Sequence, residues 1–246
     1  MRLVEEVLQS NVPQTIDEAK GILSDFAERI GFDQFSYVGG QAFRPTAGGS
    51  AIWYRPPQII ITFPEEWIGL YHEKDLSTID PIIQSTLDLK LPYTWDTENW
   101  RHDITSEQSS FFTAAHDFRI CRGLSIPIYG PLGDFGLFTF ISHAQPNEFR
   151  KLIAAKRHDL HLLALYYHQI IQSIDCAQSG TISLSEREEE ILYWTAAGKT
   201  SPEIGMILGL SEKTVQYHLY NSMKKLDVYS KPQAVAKAIL LGLIKP

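Results

Sequence analysis

Cysteine is scarce in this chain: Cys121 and Cys176 are its only two, far apart and outside any CxxC spacing. That excludes a disulfide scaffold and a thiolate metal site, and fits a reduced, cytoplasmic setting. Long apolar runs are missing too. Nowhere do eighteen apolar residues follow one another, so no helical membrane span and no membrane partner are expected. The opening MRLVEEVLQSNVP carries acids and lacks the uninterrupted apolar block of a secretion signal. Neither GxSxG, HExxH nor a Gly-rich phosphate loop occurs, which removes the common signatures of an enzyme. His158, His161 and His168, with Asp159, lie along one helical run without sharing a tight face. They are expected as surface or interface residues, with no metal and no cofactor.

Positive charge is also in short supply. The net charge is −7, yet it is unevenly placed: residues 181–246 hold eight Lys/Arg against seven Asp/Glu, and residues 1–180 fourteen against twenty-two. The front is acidic and the tail nearly neutral. A length of 246 residues suits two domains, and 44% hydrophobic residues can fill two cores.

The tail, 184–246, divides into four short helical runs. Ser185 with Glu188, Thr200 with Glu203, and Ser230 with Gln233 have the spacing of capping boxes, and Ser211 caps the third run alone. Gly209-Leu210 leaves room only for a tight turn between runs two and three, which predicts a helix-turn-helix. In run three, Val215, His218, Leu219, Ser222 and Leu226 form an inward stripe. Lys213, Gln216, Tyr220 and Lys224 fall on the opposite face, which suits a DNA major groove. The candidate DNA contacts are Lys199, Thr200, Lys213, Thr214, Gln216, Tyr217, Tyr220, Lys224 and Lys225. Gln can pair bidentately with adenine, whereas the lysines suit phosphates. A tail of charge +1 releases few counterions on binding, so two copies on paired half-sites, that is a homodimer on palindromic double-stranded DNA, are expected.

In the front, a short helix is expected within residues 1–14, an amphipathic helix from Thr15 to Gly31, and strands at Phe35–Gly39 and Gln58–Phe63. Arg44–Ser50 has loop composition, Pro64 and Asp80-Pro81 each open a helix, and Leu91–Arg101 looks irregular and aromatic. A helix follows at Ser106–Phe118, then a hairpin of Gly123–Tyr129 and Asp134–Ile141 around Gly130-Pro131-Leu132-Gly133. A long helix runs from Pro146 to about Gln172, and SIDCAQSGTIS (173–183) has linker composition. The front is therefore expected to be α+β, an α-β-α sandwich with a mainly antiparallel sheet, followed by a small all-α helix-turn-helix domain.

Within the front, Trp67 and Tyr71 share a helical face, and core packing alone would account for them. Asp80 before Pro81 is well explained as a helix cap. Thr139 alternates with Phe135 and Leu137, which sets a hydroxyl on an apolar wall where backbone would also satisfy it. Together with Ile61, Phe63 and Trp95 these residues have the make-up of a small-molecule site, mostly apolar with a few convergent polar groups. An amphiphile with an amide head and a greasy tail suits that mixture.

At this point the chain resembles the LuxR-type quorum-sensing regulators, receptors for N-acyl-homoserine lactones joined to a DNA-binding tail. The resemblance covers nearly the whole length. It rests on Trp67, Tyr71, Asp80-Pro81, Trp95 and Gly123 (in CRGLSIP) in the front, and on Glu188, Leu192 and Gly198 in the tail. It implies that Trp67 donates its indole N–H to the lactone carbonyl, that Asp80 accepts the ligand's amide N–H, and that Thr139 donates its hydroxyl to the amide carbonyl. Tyr71 and Trp95 would wall the ligand head. Two departures stand out. Many members carry Tyr-Pro where this chain has Phe63-Pro64, so one hydroxyl for the amide carbonyl is missing; position 216, often basic in related tails, is Gln. The bulk of Phe135 and Leu137 favours a short or medium acyl chain. The division expected is a lactone-binding domain at 1–172, a linker at 173–183 and the DNA-binding domain at 184–246. The rivals are a ligand-independent member of the same family, a response regulator, whose receiver would show alternating βα units, and a lactone-processing enzyme.

Overall fold

The computed structural model describes residues 12–43, 52–53, 56–100, 104–130, 133–178 and 182–245. The short helix expected before residue 12 and the loop at 44–50 lie outside the described residues. The chain divides between Gln178 and Ser179 into two compact units.

The first unit is built on one antiparallel sheet. Thr15 caps helix α1 (Ile16–Ile30), which buries Ala19, Leu23, Phe26, Ala27 and Ile30 and ends at Gly31 in the left-handed region. The chain then enters β1 (Gln34–Phe43), whose one edge pairs with β2 (Ile52–Trp53) and β3 (Gln58–Ile61). Helices α2 (Glu65–Glu73) and α3 (Pro81–Asp88) follow, then strand β4 (Tyr93–Asp96) and helix α4 (Ser106–Asp117). The hairpin β5 (Arg122–Tyr129) and β6 (Asp134–Ile141) closes the sheet in the order β1-β6-β5-β4, and α5 (Pro146–Gln178) completes the unit.

Because side chains alternate along a strand, the sheet has two distinct faces. Phe35, Tyr37, Leu124, Ile126, Phe138 and Phe140 pack with α1 and α5 in one core. On the opposite face Trp95 and Ile141 join Trp67, Ile82, Phe111 and Phe112 from α2, α3 and α4 in a second core. The arrangement is the α-β-α sandwich expected.

Two expectations need correction. Leu91–Arg101 is not irregular throughout: Tyr93–Asp96 forms the edge strand, paired with β5 from Tyr93↔Ser125 to Asp96↔Arg122, and a 3-10 turn follows at Thr97–Asn99. Its short period-two alternation, with Trp95 buried and Thr94 exposed, was obscured by the flanking aromatics. The proposed linker also begins too early. Helix α5 continues to Gln178, since Ile174 extends the buried row of Ile170 and Ile171, and Asp175 accepts a 2.6 Å hydrogen bond from Gln58 Nε2.

The second unit packs α6 (Glu186–Ala196), α7 (Ser201–Leu208), α8 (Glu212–Lys225) and α9 (Lys231–Leu240) around Ile191, Leu192, Ile204, Val215, Leu219, Leu226, Ala234 and Ala238. The turn between α7 and α8 works because Gly209 takes a left-handed φ of 67°, which costs glycine little. Ser185 and Glu188 form a full capping box. Ser230 caps α9, but the Gln233 side chain accepts from the Tyr229 N–H, so the expected reciprocal box is replaced by a neighbouring bond.

Candidate functional site

The sheet face opposite α1 and α5 carries most of the sequence-predicted ligand residues. The registers Ser36↔Ile61, Ser36↔Thr139, Ser125↔Thr139 and Tyr93↔Ser125 lay one row of side chains across five strands. Leu137 and Phe135 continue along β6 on the same face, as the alternation required. Above lies an aromatic layer. Trp67, 3% exposed, has ring centroids 5.8 Å from Tyr71, 5.7 Å from Phe111 and 5.4 Å from Phe118. Phe63 packs half-buried against this cluster.

Asp80 sits where α3 begins, 6% exposed. One carboxylate oxygen accepts the Ile82 N–H at 2.8 Å and the Ile83 N–H at 3.4 Å, and the other accepts the Tyr71 hydroxyl at 2.9 Å. Burial pushes its pKa up to about 6, against the opposing pull of those three donors. Burial beside the Asp80 carboxylate also drives the Tyr71 phenol far above its ordinary range, so Tyr71 remains a donor. A carboxylate oxygen has two lone-pair directions, so the oxygen bound to Tyr71 can still accept one more N–H.

A second polar group lies in the sheet. Trp95 Nε1 donates to Ser125 Oγ at 3.0 Å, and Ser125 Oγ lies 3.1 Å from Thr139 Oγ1. Ser125 is fully buried and Thr139 6% exposed. Gly123 makes room for this: a Cβ there would lie 2.6 Å from the Trp95 ring and from the Phe140 carbonyl oxygen. Helix α3 is moored over the face by two tyrosines. Tyr93 donates to the Ile82 carbonyl at 2.5 Å and Tyr129 to the Thr86 carbonyl at 2.7 Å.

Ser125, Tyr93, Tyr129, Phe111 and Phe118 were absent from the sequence-derived set. Ser125 was one residue out of reach: counting outward from the Gly130–Gly133 turn pairs Tyr129 with Asp134 and Ser125 with Phe138, whereas the observed register pairs Tyr129 with Phe135 and Ser125 with Thr139. Phe111 and Phe118 carried no such signal, because α4 packs on Trp67 through tertiary contacts alone. His168, expected at the surface or an interface, is fully buried between the Tyr37 hydroxyl at 2.9 Å and Asp134 at 3.0 Å. Among the described residues no group of His, Cys, Asp or Glu is arranged to hold a metal. A separate cleft of about 370 Å³ lies away from the aromatic layer, lined by residues including Ala27, Gly31, Gln34 and Thr62.

In the second unit, Lys213, Gln216, Tyr217, Tyr220 and Lys224 are exposed along α8, with Tyr217 and Tyr220 each 63% accessible. Val215, Leu219, Ser222 and Leu226 face inward, with His218 at the boundary. Lys199 and Thr200 lie just before α7, where Thr200 is occupied with the Glu203 carboxylate. Thr214 pairs with Ser211 at 2.8 Å and Gln216 Nε2 donates to Glu212 at 2.8 Å. Lys225 stands apart, with its ammonium 2.7 Å from the buried Glu188 carboxylate. Burial would raise the Glu188 pKa, but Lys225 and the Ser185 N–H outweigh it and hold the carboxyl below its usual range. Lys225 therefore ties α8 to the start of α6, which leaves less of its charge for phosphate.

The family models remove two of the rivals, the response regulator and the lactone-processing enzyme. The autoinducer binding domain matches residues 15–171, and the LuxR family of bacterial regulatory proteins matches 182–238. The chain belongs to the LuxR-type quorum-sensing regulators. Its relatives include the transcriptional activator protein VanR of Vibrio anguillarum, 29% identical over all of this chain and 98% of that one. Another is the quorum sensing-dependent transcriptional regulator RpaR of Rhodopseudomonas palustris, 30% identical over 74% of this chain and 73% of that one. Among solved structures, Escherichia coli SdiA has a TM-score of 0.74 at 25% identity, covering 100% of this chain and 97% of that one. A second SdiA structure, in complex with octanoyl-rac-glycerol, has a TM-score of 0.68 at 25% identity, covering 98% and 93%. This LuxR-type chain is thus a transcriptional regulator rather than an enzyme, with a small-molecule domain in front and a DNA-binding helix-turn-helix behind. Among its described residues no helix is long and apolar enough to cross a membrane.

Proposed function

We propose that this regulator is a cytoplasmic receptor for an N-acyl-homoserine lactone of short or medium chain, held between the sheet and the aromatic layer of the domain at 1–172, whose last helix extends to Gln178. The observation that carries this reading is the convergence of an aromatic cage around Trp67, the buried acceptor Asp80 and the buried hydroxyl Thr139 on one layer. An amide presents one N–H and one carbonyl. Burying it without partners costs roughly 2–7 kcal/mol, so a site with an acceptor and a donor favours amides over esters or hydrocarbons. In this reading Asp80 takes the amide N–H, Thr139 donates to the amide carbonyl and Trp67 to the lactone carbonyl. Tyr71, Trp95, Phe63, Ile61, Phe135 and Leu137 line the remainder.

Ligand that binds only the folded state stabilises it by mass action. The domain at 184–246 then acts as one half of a homodimer that presents two α8 helices to a palindromic operator, with α5 as part of the dimer surface. Its exposed Leu162 and Leu165 support that assignment. Gln216 and Tyr220 would choose bases, while Lys199, Lys213 and Lys224 would neutralise phosphates.

A panel of lactones of graded chain length, with octanoyl-glycerol as the ester control, tests the reading. Melting temperature and operator affinity are read together on the full chain. A medium-chain lactone should raise both; a response to the ester but not to any lactone would sink the amide assignment. Equal affinity for half-sites and full palindromes would remove the dimer.

A further inference from the structure

The hydroxyl of Thr139 faces a polarity problem. A threonine hydroxyl has one proton, and to serve a ligand carbonyl that proton must point at the ligand and not into the sheet. Ser125 Oγ lies 3.1 Å away, and either hydroxyl is able to donate to the other. Trp95 weights the choice. Its indole N–H is only ever a donor, and it fills one of the two acceptor positions on Ser125 Oγ at 3.0 Å. The Ser125 proton then has two oxygens in reach, Thr139 Oγ1 at 3.1 Å and the Tyr93 hydroxyl. Tyr93 donates to the Ile82 carbonyl and has Thr86 Oγ1 2.8 Å from its oxygen as a donor of its own. The arrangement in which Ser125 donates to Thr139 therefore places every proton and turns that of Thr139 to the ligand.

We infer that Ser125 is a positioning residue that sets the direction of a donor chain, Trp95 N–H to Ser125 O–H to Thr139 O–H to the ligand's amide carbonyl. The Thr139 proton then faces the ligand before the ligand arrives. Each hydroxyl in such a chain is polarised by the one behind it, which strengthens the terminal donor. The inference rests on the proposed role of Thr139 and adds that the donor's direction is fixed two residues away. Full burial of Ser125 keeps water from reversing the chain.

The test uses the full-length protein and N-octanoyl-homoserine lactone carrying carbon-13 at the amide carbonyl. The carbonyl stretching band of the bound ligand reports donation to that oxygen. In wild type the band should lie below that of the same ligand bound to Thr139→Val. Ser125→Ala should move it most of the way to the Thr139→Val position and weaken binding about tenfold, the worth of one well-placed hydrogen bond. In the Thr139→Val background, Ser125→Ala should have almost no further effect. Ser125→Cys, nearly isosteric but a weak donor, should fall between the two and guards against a folding defect in the alanine variant. A band unmoved by Ser125→Ala, or losses that simply add in the double variant, would overturn the relay while leaving Thr139 as donor. A wild-type band indistinguishable from that of Thr139→Val, or no binding by wild type, would instead remove the proposed role of Thr139 and the relay with it.

Discussion

One sheet supplies two opposite environments. Along β6, Phe138 and Phe140 point to the α1–α5 side into a core of aliphatic and aromatic side chains, where they stack at an interplanar angle of 10°. Thr139 between them points to the α2–α4 side, where Ser125, Trp95 and Asp80 are also buried. The first face derives most of its stability from close packing, which is non-directional and tolerates no void, and the polar network on that side, Tyr37–His168–Asp134, is satisfied within itself. The second face buries polar groups, each of which needs a partner. Strand alternation keeps the demands of binding apart from those of folding.

The largest expected effect tests that separation on the packed face. Phe138→Ala should cost about 3–5 kcal/mol of stability, the usual loss for a buried phenylalanine. Denaturant unfolding would measure it, with ligand affinity of the folded fraction unchanged; a large affinity loss would show that the faces are coupled. Gly136→Ala comes next. A Cβ there would lie 2.4 Å from His168 Nδ1, beneath the Tyr37–His168–Asp134 network, so about 1–3 kcal/mol should be lost. Thermal melts of the unliganded protein would show it.

On the polar face the signs reverse. Asp80→Asn keeps an acceptor for the Ile82 N–H, so the cap and the unliganded melting temperature should nearly survive. Lactone affinity should still drop about tenfold, because an amide N–H now meets an NH₂ group. Isothermal titration beside a melt separates the two quantities; equal losses in both would erase the distinction between the faces.

The smallest effect is a pH dependence. With its pKa near 6 in the unliganded protein, Asp80 favours its protonated form, so its contribution to stability is present below the ordinary carboxyl range and lost as pH rises through about 6. A ligand N–H binds the carboxylate, pulls the pKa down and restores stability above pH 6. Affinity should therefore fall as pH drops from 7.5 to 5, approaching tenfold per unit below 6. Asp80→Asn should abolish that slope, and a slope that persists in the variant would assign the titration to another group.

Much of this was legible in the chain, and the reasons are local. Trp67 and Tyr71 four apart on a helix, Asp80 before Pro81, Thr139 among alternating apolar residues, and the capping signals of the tail are all short-range patterns. Helix and strand periods translate them directly into faces. The α8 stripe of Lys213, Gln216, Tyr220 and Lys224 emerged intact because an exposed helix surface needs no partner to define it. Lys225 did not, since its ammonium is claimed by Glu188 from another helix. His168 was misjudged for the same reason: its partners Tyr37 and Asp134 come from strands far away in sequence.

By itself, then, the sequence determined the two-domain plan, the LuxR-type family, the sheet faces and the capped helices, all of which follow from periodicity and short motifs. Only the tertiary structure decided which buried polar groups meet. The Trp95–Ser125–Thr139 chain, the Tyr71–Asp80 bond and the packing of Phe111 on Trp67 each join separate elements. A strand or helix period fixes the direction in which a side chain points, but not what lies across the gap; that is set by how the layers pack.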